Sequence, residues 1–294
     1  MSKFTVSDID FSLEVFPPKT EAGIDNLMRT VDAYAALRPA TITVTFGAGG
    51  SETANYSRDV IHRIAARVPN IPIAAHLTCA GRSRVETTAI LDEFLADGVR
   101  HIVALRGDML QQNALPNGAA YRPHAEGYAT TPEFIAAIRA HSPTTRISIA
   151  GYPETHPESP DMAFDIDHLK RKVDAGADNI LTQFFFDPEV FLQWRDRVAA
   201  RGIDATITPG LLPVLSFPKM LGFAKKCNAN VPPFLHAMFD GVDPDSIDHK
   251  LLAMNVLSHQ ITRLIEHGVK SFHFYTLNDT LLTRHLCTWI RTGF

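Results

Sequence analysis

The chain of 294 residues carries 45% hydrophobic and 20% charged residues, with 17 Gly and 19 Pro, an ordinary globular composition that excludes a fibrous or disordered chain. Its 28 Lys and Arg against 32 Asp and Glu leave a formal charge of −4, so nothing favours nucleic acid or an anionic membrane, either of which asks for a basic face. Small-molecule ligands are the expected partners. Cys79, Cys227 and Cys287 are odd in number and far apart with no C-x-x-C pair, so neither a disulfide framework nor a metal site is expected, and reduced thiols in the cytoplasm fit best. The start MSKFTVSDIDFSLEVF lacks the apolar core of a secretory signal, and no apolar run reaches the ~20 residues of a membrane span.

Along the chain, eight β-rich runs alternate with helix-patterned stretches: SLEVF, TITVTF, IPIAAHLT, HIVALR, TRISIAG, NILTQFF, ATITPG and KSFHFYT. After the third run, Ser83 with Glu86 three residues on reads as a capping box. Thr131 and Pro132 read as N-cap and first residue of the helix before the fifth run. Gly98, Gly176, Gly202 and Gly268 each stand between a helical pattern and a strand, where a left-handed residue closes a helix. Between the seventh and eighth runs there is room for two helices, one of them from Ser246 to Glu266. Eight alternating βα units predict a single (βα)8 TIM barrel over residues 1–294 with no second domain. The rival is an open doubly wound sheet, which usually carries a Gly-rich loop after its first strand; here that position holds Phe16-Pro17-Pro18-Lys19.

Signatures of P-loop, zincin and nucleophile-elbow chemistry are absent. The one Gly cluster, Phe46-Gly47-Ala48-Gly49-Gly50-Ser51, has Glu52 where a dinucleotide fingerprint needs its third Gly. It reads either as a plain turn or as backbone that can approach a ligand closely.

A TIM barrel keeps its chemistry at the C-terminal strand ends, and those ends are polar here: Glu14, Thr45, His76, Thr78, Arg106, Asp108, Tyr152, Glu154, His156, Gln183, Tyr275, Thr276 and Asn278. Taken together they predict one polar site on one face. Glu14, flanked by Leu13, Val15 and Phe16, is expected to have a raised pKa that suits a general acid, the alternative being a basic partner in the barrel mouth. Arg106 with Asp108 reads alone as an ion pair, and Lys170-Arg171-Lys172 alone as a solvated helix face. The stretch from Gly107 to Thr131, without periodicity, reads as a lid or ligand loop.

The strings FSLEVFPPK, TVTFGAGG, AHLTC, HIVALRGD, GYPETHPE, LKRKVDAGAD, TQFFFD, MFDG and FHFYTLN, in this order across nearly the whole chain, resemble the methylenetetrahydrofolate reductase family of the bacterial, single-domain type. The resemblance implies a (βα)8 barrel that holds FAD and reduces 5,10-methylenetetrahydrofolate to 5-methyltetrahydrofolate with NADH or NADPH by a ping-pong mechanism. It implies Glu14 as the acid that protonates N10, and Asp108 beside flavin and pterin. Ala48, His76, Arg106, Gly107, Asp108, Tyr128, Ala129, Tyr152, His156, Asp165, Arg171 and Lys172 would hold FAD. Thr45, Asp108, Gln183, Lys219, Phe223 and Tyr275 would meet folate or nicotinamide. Lys219 and Asp279 depart from some bacterial members, and Asp279→Arg is expected to lower the folate KM. A homo-oligomer is expected. The competing readings are a flavin-free pterin one-carbon transferase on the same barrel and a partner-dependent subunit that takes electrons from another protein.

Overall fold

The computed structural model describes residues 9–46, 54–107 and 123–292, the side chains of 54–56 excepted. In chain order the elements are β1 (Asp10–Val15), α1 (Glu21–Ala35), β2 (Thr41–Val44), α2 (Ala54–Arg67), β3 (Ile73–Thr78), α3 (Arg84–Ala96), β4 (His101–Leu105), α4 (Thr131–His141), β5 (Arg146–Gly151) and α5 (Met162–Asp174). They continue with β6 (Asn179–Thr182), α6 (Pro188–Ala200), β7 (Thr206–Thr208), β8 (Gly210–Leu211), α7 (Phe217–Cys227), α8 (Pro233–Phe239), α9 (Ile247–Glu266), β9 (Ser271–Tyr275) and α10 (Leu281–Thr292). Every strand pairing is parallel, in the order β7-β6-β5-β4-β3-β2-β1-β9-β8. This is a TIM-type barrel ringed by helices.

The seventh run, ATITPG, is one strand in the sequence reading and two in the structure. Thr206–Thr208 pairs with β6, and Gly210–Leu211 pairs with β9. Pro209 between them has no N–H to donate, and its carbonyl accepts from His273 N (2.9 Å). The two ends of the strand order are thus halves of a single run, which closes the barrel on either side of Pro209. Gly210 is required there: a Cβ would lie 2.2 Å from the Thr182 carbonyl oxygen and 2.6 Å from the Tyr275 ring. The interval between the seventh and eighth runs holds α7, α8 and α9, one helix more than expected.

Strand alternation sorts the core. Phe11, Leu13 and Val15 of β1 are fully buried against the helix layer, which turns Ser12 and Glu14 toward the barrel axis. The axis is polar. His101 Nε2 and Ser148 Oγ are 2.7 Å apart, Asn179 Nδ2 donates to Ser148 Oγ (3.1 Å), and Thr208 Oγ1 donates to Asn179 Oδ1 (3.1 Å). Burial pushes the His101 imidazole down to about 3, helped by the positive charge of Arg146, so a neutral ring completes this chain.

The capping box at α3 forms as expected, with Ser83 N donating to Glu86 Oε2 (2.8 Å) and Glu86 N to Ser83 Oγ (3.2 Å). At α4 the cap is Thr130, one residue earlier than predicted, because its hydroxyl reaches Glu133 N (3.3 Å). Gly98, Gly176, Gly202 and Gly268 all have positive φ at the ends of helices. No helix among the described residues is long and apolar enough to cross a membrane.

Candidate active site

The C-terminal strand ends open into a cavity of about 630 Å³. Of the residues expected at a site, Glu14, Thr45, His76, Thr78, Arg106, Gly107, Tyr152, His156, Asp165, Arg171, Lys172, Gln183 and Tyr275 line it together. Ala48, Asp108, the Gly cluster and most of the 107–131 loop lie outside the described residues. Among the described residues, Tyr128, Ala129, Glu154, Lys219, Phe223, Thr276 and Asn278 do not line the cavity. Tyr128 is buried against Phe134, with Arg84 over its ring. The Ala129 N–H donates to Glu133 (2.8 Å). Lys219 and Phe223 sit one turn apart on the exposed face of α7. Glu154 turns away and accepts from Asn230 N (2.8 Å), fastening the β5–α5 connection to the segment after α7.

Glu14 stands on the cavity floor with 17% of its side chain exposed. Its Oε2 lies 3.4 Å from His273 Nε2 and 3.4 Å from His76 Nε2. The His76 nitrogen lacks hydrogen-bond alignment and is an orphaned buried atom. The expected raised pKa is corrected here. Burial does push Glu14 up, but the His273 hydrogen bond and the positive potential of His76 and His273 outweigh it and hold the carboxyl below its ordinary value. The alternative, a basic partner in the barrel mouth, is what the fold supplies, as two imidazoles. Burial in turn pushes the His76 imidazole down.

One wall is cationic. Arg106 makes a two-armed pair with Glu158, one arm 2.8 Å long, and this guanidinium holds the Glu158 carboxyl below its usual range. Lys172, 7% exposed, donates to the Ala150 carbonyl oxygen (2.6 Å), and burial lowers its pKa to about 8. Arg171 lies over the Phe164 ring. Both oxygens of Asp165 are engaged, by His156 N (3.3 Å) and Ser159 Oγ (2.9 Å), so it shapes the loop that carries His156. At Gly107, with φ +84, a Cβ would lie 2.6 Å from Thr78, which brings bare main chain to the cavity rim. This set of donors, with concave glycine backbone, fits a ligand bearing a diphosphate.

Thr45, Gln183 and Tyr275 also line the cavity. The Gln183 side-chain oxygen accepts from Phe184 N (3.0 Å), leaving its NH2 group as the end that can donate to a ligand. The Tyr275 hydroxyl is spent on the Thr182 carbonyl (2.7 Å), so Tyr275 offers its ring. Several cavity residues escaped the sequence reading, among them two histidines. His273 lies two residues before Tyr275 on one strand, so the period of two would have found it. His168 precedes Lys172 by four residues on α5, so the helical period would have found it; burial and the charges of Lys172 and Arg171 lower its pKa to about 4.

The sequence matches the family model for methylenetetrahydrofolate reductase over residues 2–290. The chain belongs to that family. It is 39% identical to the 5,10-methylenetetrahydrofolate reductase of Escherichia coli over 282 residues, 95% of this chain and 90% of that one. It is 38% identical to the enzyme of Pectobacterium carotovorum over 282 residues, 95% and 89% of the two chains. Among solved structures, a Clostridium thermocellum protein described as binding two copies of 5-methyl-5,6,7,8-tetrahydrofolic acid covers 96% of this chain and 98% of its own, with TM-score 0.58 at 13% identity. That last likeness is one of fold.

Position 279 has a local role in the structure. The Asp279 carboxylate caps the first turn of α10, accepting from Leu282 N (2.8 Å) and Thr283 N (3.3 Å), and it does not line the cavity. Asp279→Arg is therefore expected to destabilise the reductase by about 1 kcal/mol, the usual worth of a cap, with Asp279→Asn costing less. Thermal melts check this; an Arg variant that melts with the wild type would remove the cap from the account.

Proposed function

We propose that this chain reduces 5,10-methylenetetrahydrofolate to 5-methyltetrahydrofolate, with FAD as its bound cofactor and NADH or NADPH as reductant. The observation that carries the reading is the pairing, in one cavity of a chain of this family, of a buried carboxylate on the floor with the cationic wall of Arg106, Arg171 and Lys172. Bound there, the flavin would supply two-electron exchange between nicotinamide and folate. The chain's own residues do the rest. Arg106, His156, Arg171 and Lys172 would hold the diphosphate, and a ligand anion would compete with Glu158 for Arg106. Thr45, Gln183 and the ring of Tyr275 would form the wall that nicotinamide and folate use in turn, the geometry of a ping-pong reaction. Glu14 would give a proton to N10 of the folate, opening its five-membered ring. Asp108 would place a negative charge beside the cationic product of that opening. Lys219 and Phe223 on α7 would lie at the outer edge, where the glutamyl end of a folate leaves the barrel.

The test is an anaerobic mix of the purified holoprotein with each nicotinamide, followed by methylenetetrahydrofolate. Bleaching of the flavin spectrum and its return on adding the folate are the expected results. FAD should also raise the melting midpoint of the cofactor-free protein by mass action. A folded protein that ignores saturating FAD overturns the cofactor assignment and returns the flavin-free transferase reading.

A further inference from the structure

Glu14 is held ionised by its surroundings, yet the proposed chemistry asks it to give up a proton at every turnover. That proton has to be supplied, and a bound substrate closes the cavity side. Another side exists. His273, fully buried, faces Glu14 Oε2 with Nε2 at 3.4 Å and Ser12 Oγ with Nδ1 at 2.8 Å. Ser12 and His273 are register partners across β1 and β9, one inward position nearer the N-terminal end of the barrel than Glu14. Ser12 is partly exposed although, unlike Glu14 and His273, it does not line the cavity. The next inward residue of the same strand, Asp10, is exposed. Partial exposure of Ser12, with exposed Asp10 beyond it, is what access of solvent from the end of the barrel opposite the ligand would require.

We infer that Ser12 and His273 return the proton to Glu14 from the N-terminal end of the barrel, so that the acid is recharged behind a bound substrate; this rests on the acid role of Glu14 proposed above. The step balances. When Glu14 has lost its proton to the substrate nitrogen, His273 Nε2–H passes its proton to the carboxylate, Nδ1 takes the proton of the Ser12 hydroxyl, and Ser12 regains one from water. No electrons move; once the product has left, the proton on Nδ1 returns through Ser12 to water while Nε2 takes a fresh one from water in the open cavity, which restores the starting tautomer. The Ser12 hydroxyl also lies 3.4 Å from the Phe272 carbonyl, the acceptor for its proton when Nδ1 carries hydrogen. His76 is as close to the carboxylate, but it lines the cavity and lacks the alignment. It balances charge without opening a second route. His273 and Ser12 are positioning and relay residues; neither is asked to touch the substrate.

The experiment compares the two half-reactions of the holoenzyme by stopped flow, in wild type, Ser12→Ala, Ser12→Thr and His273→Asn, each across mixtures of H2O and D2O. Bleaching by nicotinamide needs no acid and reports that the fold and the cofactor are intact. Ser12→Ala and His273→Asn should slow return of the spectrum by methylenetetrahydrofolate about tenfold or more relative to bleaching, the lower reach of losing a proton-transfer partner. Ser12→Thr, which keeps the hydroxyl, should restore it. The wild-type rate should fall along a curve with deuterium fraction, as when several protons move, and along a straight line in Ser12→Ala. A Ser12→Ala enzyme with the wild-type ratio of rates and the wild-type deuterium curve overturns the route. A wild-type protein that bleaches with nicotinamide and never recovers with folate fails the proposed function itself, and this inference with it.

Discussion

Glu14→Gln is expected to slow reoxidation by methylenetetrahydrofolate by about 10²- to 10⁴-fold, the range for removing a general acid, while bleaching by NAD(P)H stays within about tenfold of wild type. Only the folate half-reaction needs a proton at N10, and Gln keeps the shape of Glu without carrying one. The pH dependence has a sign. In the ligand-free protein the two imidazoles depress the Glu14 pKa, so its acid form grows as pH falls, and the folate half-reaction should quicken in the same direction. Single-turnover absorbance of each half-reaction decides the matter. A Glu14→Gln enzyme that reduces folate at the wild-type rate makes Glu14 a structural partner of His273 and sends the search for the acid elsewhere.

Lys172→Met is expected to do two opposite things: abolish retention of FAD and stabilise the cofactor-free protein. Burial lowers the Lys172 pKa from its ordinary 10.5 to about 8. Between those values the unfolded chain binds the proton and the folded one does not, so stability rises with pH from about 8 to 10.5, and the contribution is lost as pH falls through 8. At pH 7 the buried ammonium costs about 3 kcal/mol, against roughly 1 kcal/mol for leaving the Ala150 carbonyl without its donor. Melts of the cofactor-free proteins across pH should show the Met variant higher at pH 7 and the gap closing toward pH 10.5. Lys19→Met, at an exposed position, should change neither stability nor FAD retention. A Lys172→Met protein that keeps FAD as well as Lys19→Met does would take Lys172 out of the diphosphate cradle.

Much of this was legible in the sequence for local reasons. The period of two sorts each strand into a helix-facing and an axis-facing set, and eight such runs between helical patterns leave few architectures. Ser83 with Glu86, and the glycines at 98, 176, 202 and 268, act within a few residues of themselves, so their signals survive without tertiary context. Polar residues at the ends of parallel strands converge wherever the sheet closes, which is why thirteen expected residues line one cavity.

The rest depended on what lay opposite. Leu13, Val15 and Phe16 around Glu14 argue for a raised pKa, since neighbours in sequence report only desolvation. His76 and His273, 62 and 259 positions away in the chain, reverse the sign, and only closure of the barrel brings them to the carboxylate. Asp279 reads in sequence only as a departure from related chains, whereas in the structure α10 begins beside it and two of its N–H groups donate to Asp279 Oδ2. Pro209 looks like the end of a strand until the last gap in the sheet is seen to close on both sides of it. Periodicity, caps and turn glycines were therefore set by the sequence alone, because their energies are local. The charge on Glu14, the roles of Asp279 and Glu154, and the alignment of Ser12, His273 and Glu14 were decided by tertiary structure, because electrostatic and hydrogen-bond energies depend on distances across the barrel that no spacing along the chain encodes.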